Sequence, residues 1–231
     1  MSKYKHIFFD LDRTLWDFET NSFETLSELS IKYKFKDLGI DSIDSFITQY
    51  NPINNRMWDE YGKGIIDKKT LRYGRFSEAL LKFNINDKQL AKQFADDYIA
   101  SSPLKTSLFP HTKEVLEYLN QKYFLHIITN GFEEVQHTKL KKCKIDHYFN
   151  QIITSEQVGF NKPDIRIFHY SLSAANTTTE DSLMIGDNLQ ADIVGARNAG
   201  MNQVFFNNSG EVHDELITHE ISSLKELLTI L

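Results

Sequence analysis

The chain of 231 residues holds a single cysteine, Cys143, so it has room for one large domain or two modest ones and no intrachain disulfide. Its formal net charge of −6, from 26 Lys and Arg against 32 Asp and Glu, argues against a nucleic-acid polymer as partner, because such proteins carry a basic face. Only three consecutive apolar residues precede Asp10, far short of a leader or a membrane span, and with the lone cysteine this predicts a cytoplasmic protein without a membrane partner.

In chain order, Ile7-Phe8-Phe9 reads as a short buried strand that stops abruptly at Asp10, with Asp12 and Thr14 just beyond. From Trp16 to about Ala100 the spacing turns helical: Phe23, Leu26, Leu29 and Tyr33, then Leu71, Leu80 and Leu81, then Leu90, Phe94 and Tyr98 after a capping Asp87. Pro103 and Pro110 close this block. Residues 17–106 are therefore predicted to form an all-helical domain inserted into a second domain made of 1–16 and 107–231.

Downstream, strand and helix alternate. Thr112 is expected to cap a helix carrying Val115, Leu116 and Leu119, followed by a strand over 124–128 that ends in Thr129-Asn130-Gly131. A helix over 133–142, a strand over 151–154, a loop with Lys162-Pro163 and a helix with Ile165, Phe168 and Leu172 come next. The strand over 182–185 ends in Gly186-Asp187-Asn188 and runs into a helix through Ala191, Val194 and Ala199. Residues 203–206 read as the last core strand and 224–231 as a closing helix. This alternation predicts an α/β fold with a parallel sheet and helices on both faces. The basic run Lys139 to Lys144 reads as a solvated helix face.

Three strands thus end in residues suited to phosphate chemistry, and a parallel sheet gathers its strand ends into one crevice. Asp10 is placed to attack a phosphoryl group, and Asp12 to protonate the leaving oxygen and then deprotonate water. Asp10, Asp187 and the backbone carbonyl of Asp12 suit Mg2+ as metal ligands, with Asp192 and Thr14 bracing them. The Thr129 hydroxyl, the Asn130 N–H and Lys162 would hold the phosphoryl oxygens. Plainer roles stay open: an aspartate turn after the strand, a simple turn at 129–131, an exposed loop lysine, a helix cap at Asp192. Gly186 reads as serving close backbone approach.

Assembled, these residues resemble the haloacid dehalogenase-like hydrolase superfamily in all four of its motifs: Asp10-x-Asp12-x-Thr14, Thr129-Asn130-Gly131, Lys162-Pro163 and Gly186-Asp187-Asn188-x-x-x-Asp192. The resemblance implies a Rossmann-like core, a mobile helical cap, magnesium dependence and two-step phosphoester hydrolysis through an aspartyl-phosphate. The dehalogenases of that superfamily lack an acid at the position of Asp12, so its presence implies a phosphatase. The segments 55–61, 73–76, 128–132 and 155–159 are similar to the branch acting on pyrimidine nucleoside 5′-monophosphates such as UMP, dUMP and dTMP. In that branch Trp16, Trp58, Tyr61 and Phe132 would stack on a base and Arg75 would bond its edge, although core packing is the commoner role for each aromatic and pairing with a carboxylate an equal one for Arg75. Alternatives are a sugar-phosphate phosphatase such as an acylneuraminate 9-phosphatase, a phosphomutase, and a phosphate-accepting signalling module. The expected partner is a small phosphorylated metabolite, and the expected assembly a monomer or homodimer.

Overall fold

The computed structural model describes residues 3–231. Alternation along the first strand sets the layering. In β1 (His6–Phe9), Ile7 and Phe9 enter one hydrophobic cluster while Phe8 enters another, as the period of two in a strand requires. The chain divides into two compact units, one of residues up to Phe18 with Thr106–Leu231, the other Glu19–Lys105.

The second unit is helical throughout: α1 (Phe18–Lys32, its first residue belonging to the other unit), α2 (Ile43–Gly62), α3 (Lys68–Leu81) and α4 (Lys88–Ser101). Side chains close the exposed N–H groups of three of them, Ser42 for α2, Asp67 for α3 and Asp87 for α4. Its interior is aromatic, with Phe35, Phe46, Tyr50, Phe76, Phe94 and Tyr98 in successive ring contacts of 5.0–5.9 Å. Two hydroxyls of that interior are satisfied locally, Tyr98 donating to Ser22 Oγ and Tyr50 to Asn54 Oδ1. Phe23 and Leu81, predicted to share the buried stripe, are exposed.

The first unit continues with α5 (Thr112–Asn120), β2 (Phe124–Thr129), α6 (Glu133–Cys143), β3 (Phe149–Thr154), α7 (Ser155–Val158), α8 (Ile165–Ala174) and β4 (Ser182–Gly186). A π-helical turn, Leu189–Val194, leads into α9 (Gly195–Asn198), and β5 (Asn202–Phe206), β6 (His219–Ile221) and α10 (Leu227–Ile230) complete it. All pairings are parallel, in the order β3-β2-β1-β4-β5-β6. Residues of α5, α6 and the C-terminal turns pack with Ile7 and Phe9, those of α8 and α9 with Phe8, so helices cover both faces.

Three local expectations are corrected. A sixth strand, β6, pairs outside β5, which is therefore not the last. The closing helix is two short pieces, Leu224–Glu226 and α10. Thr112 does not cap α5: His111 takes the cap position at φ 68, and Thr112, already helical, donates its hydroxyl to Phe109 O.

The insertion leaves and returns at a stitched neck. Asp17 N donates to Ser107 O and Phe109 N to Leu15 O, and Trp16 bridges Leu108. Among the described residues no helix is long and apolar enough to cross a membrane.

Beside Phe8, the imidazoles of His6 and His126 meet at 3.0 Å, Nδ1 to Nε2, so one ring must accept what the other donates. Burial, reinforced by the His6 charge, pushes His126 down to about 4. The unfolded chain takes up this proton near pH 6.5 and the folded chain only near pH 4, so stability should fall as pH falls through that window, by about 3 kcal/mol. Urea denaturation of His126→Phe is expected to show a flatter acid limb than the parent; an unchanged limb would assign it to other groups.

Candidate active site

The sheet order reverses between β1 and β4, whose residues pair in register from His6–Ser182 to Phe9–Ile185. Ligands of open parallel sheets bind in the crevice that such a reversal opens beyond the strand ends. Asp10 follows β1 and Asp187 follows β4, so the two carboxylates flank the switch point. Asp10 is anchored by its own N–H, which donates to Ile185 O at 2.9 Å.

Lys162 lies at the centre, 2 % exposed. Its Nζ donates to Asp10 Oδ1 at 2.6 Å and to Ile128 O at 2.7 Å, and stands 2.7 Å from Asp192 Oδ1. The loop carrying it is held by Asn130, whose Nδ2 donates to Lys162 O at 2.9 Å while Oδ1 accepts from Lys162 N at 2.8 Å. The Asn130 side chain is thereby committed to the lysine loop, and its backbone N–H bonds to none of the described residues. Asp192 Oδ2 accepts from Asn188 N at 3.0 Å. This carboxylate lies so close to β4 that a Cβ on Gly186 would sit 2.3 Å from it, which is why glycine ends that strand.

Thr14 ties the two halves together. Its hydroxyl accepts from Asp187 N and donates to Asp187 Oδ1, both at 3.1 Å, with Asp10 Oδ2 at 3.5 Å. Oxygens of Asp10, Asp187 and Asp192 lie within 4.8 Å of one another. Burial pushes Asp10 up to about 7 against the pull of Lys162, with Asp192 and Asp12 adding to the rise. Burial, then the charges of Asp10 and Asp192, also raises Asp187. Burial disfavours the Lys162 cation, but Asp10 and Asp192 outweigh it and raise its pKa above the usual lysine value.

Three carboxylates against one lysine leave negative charge unbalanced, and the donors are all oxygens, a set that fits a hard divalent cation. Asp10 and Asp187 would hold it, with the Asp12 carbonyl. Asp192, engaged by Lys162 and Asn188, would brace the set.

Asp12 points to a different neighbourhood. Its Oδ1 receives Lys139 Nζ at 2.5 Å and its Oδ2 receives Gln136 Nε2 at 2.8 Å, both from α6. Lys139 is buried and lies over the Trp16 ring at 4.3 Å, which corrects its reading as part of a solvated face. The signal was present: Gln136, Lys139, Leu140 and Cys143 are spaced i, i+3, i+4 and i+7, and all are buried. The Gln136 amide also donates to Thr129 Oγ1 at 2.7 Å, and Gly131 N donates to the same oxygen at 3.0 Å.

The residues assigned to a nucleotide base fall in both units, Trp16 and Phe132 in the sheet unit and Trp58, Tyr61 and Arg75 in the helical unit. Trp16 is fully buried in the sheet unit's core, with Lys139 on its ring. Phe132 is 2 % exposed at the start of α6. In the helical unit, Arg75 is likewise interior, with Nη1 donating to Asn54 Oδ1 at 2.8 Å and the guanidinium over Phe76 and Tyr98. Trp58 and Tyr61 are half-buried and meet edge to face.

Residues 7–206 match the family described as haloacid dehalogenase-like hydrolase. The chain is 32% identical to the pyrimidine 5′-nucleotidase YjjG of Escherichia coli, over 99% of this chain and 98% of that one. It is equally identical to the pyrimidine 5′-nucleotidase PynA of Streptococcus pneumoniae (99% and 95%) and to a glyceraldehyde 3-phosphate phosphatase of Methanothermobacter thermautotrophicus (97% and 99%). Among solved structures, that of the hydrolase YfnB of Bacillus subtilis bound to magnesium superposes with a TM-score of 0.86 at 27% identity, over 99% of both chains.

Removing the cation from a buried ion pair while leaving its carboxylates costs about 3–5 kcal/mol. Lys162→Met is therefore expected to lower stability by that order in a chelator-containing buffer, and magnesium to restore more stability to the variant than it adds to the parent. Urea midpoints with and without the cation decide it; a variant indifferent to magnesium would remove the acidic cluster as the cation's site.

Proposed function

The chain belongs to the haloacid dehalogenase-like hydrolases and is a phosphoric monoester hydrolase, and from that premise we propose that it is magnesium-dependent and acts on pyrimidine nucleoside 5′-monophosphates. The observation that carries the chemistry is the division of the two strand-end aspartates. Asp10 is fixed against Lys162 among carboxylates, and Asp12 is fixed against α6. Two like residues in unlike surroundings support unlike roles.

In this reading Asp10 attacks phosphorus and the ester oxygen departs as Asp12 protonates it. Asp12 then takes a proton from the water that attacks the aspartyl-phosphate, returning Asp10 and releasing orthophosphate. Lys162 balances charge on Asp10 and on the phosphoryl group, and the Thr129 hydroxyl and Asn130 N–H bind its oxygens. Magnesium, held by Asp10, Asp187 and the Asp12 carbonyl, would screen the repulsion between the nucleophile and the phosphate dianion.

The pyrimidine preference draws support from the two nucleotidases at 32% identity and from the segments 55–61 and 73–76 of the helical unit. A sugar-phosphate substrate is the second reading, favoured by the equally similar glyceraldehyde 3-phosphate phosphatase. The helical unit, proposed as a cap, is where these readings part.

Phosphate release with magnesium from pyrimidine nucleotides, purine nucleotides and sugar phosphates tests both. UMP, dUMP or dTMP is expected to lead the panel, and a sugar phosphate in that position would overturn the pyrimidine assignment. Asp10→Asn should abolish release, and Asp12→Asn should lower kcat by roughly 10²–10⁴-fold.

A further inference from the structure

Gln136 is fully buried on α6, and its amide is turned in a way that packing alone does not explain. Both N–H groups are used, one on Asp12 Oδ2 at 2.8 Å and one on Thr129 Oγ1 at 2.7 Å. Its Oε1 is buried and makes no hydrogen bond to any described residue. An orphaned buried acceptor is unfavourable, so the orientation is maintained for what the nitrogen does.

At Thr129 the consequence is directional. A hydroxyl has two acceptor sites and one proton. Gly131 N and Gln136 Nε2 fill both acceptor sites, and no described residue receives the proton. The hydroxyl is left as a pure donor. At Asp12 the same nitrogen fixes one carboxylate oxygen while Lys139 fixes the other. Gly131 keeps the path open, since a Cβ there would lie 1.9 Å from Gln136 Nε2 and 3.2 Å from Asp12 Oδ2.

We propose that Gln136 is a positioning residue of the phosphate site: through one amide nitrogen it holds the Asp12 carboxylate and makes Thr129 a one-way donor to a phosphoryl oxygen. This rests on the phosphatase reading above. It also explains the glycine of Thr129-Asn130-Gly131 by the passage of a side chain from the following helix, rather than by the turn's own backbone.

The experiment measures orthophosphate binding by calorimetry in the presence of magnesium, for the parent, Gln136→Glu, Thr129→Val and the double variant, with thermal denaturation of each. A glutamate at 136 would accept the Thr129 proton, so Gln136→Glu is expected to weaken orthophosphate by about tenfold or more, as Thr129→Val does. In the Thr129→Val background the part of that loss that acts through the hydroxyl is gone, leaving only the charge added beside Asp12, so the double variant should lose clearly less than the product of the two single losses. Losses that multiply in the double variant, or unchanged binding in Gln136→Glu, overturn the proposal. If Gln136→Glu does not fold, Gln136→Met, uncharged and of similar length, serves with a smaller loss that must also vanish in the Thr129→Val background. Absence of orthophosphate binding by the parent would instead overturn the phosphatase reading, and this inference with it.

Discussion

One buried lysine holds this site in shape. Lys162 contacts two carboxylates and a backbone carbonyl at 2.6–2.7 Å, and the burial of Asp10 and Asp192 depends on it, since a carboxylate removed from water needs a paired charge. Other features follow from that need. Asn130 gives its side chain to the lysine's backbone, and Gly186 yields the space into which Asp192 leans. The lysine answers one of three carboxylates, and burial, with the neighbouring negative charge added to it, accounts for the elevated Asp10 and Asp187. A cluster poised in this way has the oxygen donors and the charge that suit a hard divalent cation.

The second support is α6, which starts two residues after the turn that follows β2 and carries Gln136 and Lys139 on its buried stripe. Two aspartates separated by one residue thus answer to different elements, Asp10 to the Lys162 loop and Asp12 to a helix. In a strand, residues i and i+2 share a face, so this split arises because β1 has ended at Phe9 and the chain turns beyond it, with Arg13 at φ 67.

Much of this was legible in the residues. Strand ends were readable because a short apolar run such as Ile7-Phe8-Phe9 that stops at a polar side chain has few other meanings in an α/β chain. β6 was not, because His219-Glu220-Ile221 exposes two of its three side chains and shows no apolar run. The cap of α5 was misplaced by one residue, since His111 adopts a left-handed conformation that its residue type does not announce. Lys139 was misread because the composition of a basic run says nothing about which of its members faces inward. Trp16 and Arg75 show the opposite limit: chemistry able to recognise a base is also chemistry able to fill a core, and burial, which decides between them, depends on the whole fold.

The neck between the two units bears on how such a protein changes over time. Hydrogen bonds between residues 15–17 and 107–109 close the sheet unit on itself, and the charged cluster, the lysine loop and α6 all belong to that unit. Whatever is strung between Phe18 and Thr106 hangs from a seam already sewn, the kind of site at which chains accept foreign segments. Descent can therefore exchange the insertion wholesale, or let it drift residue by residue, while the reacting groups stay as they are: new appetites on an inherited chemistry.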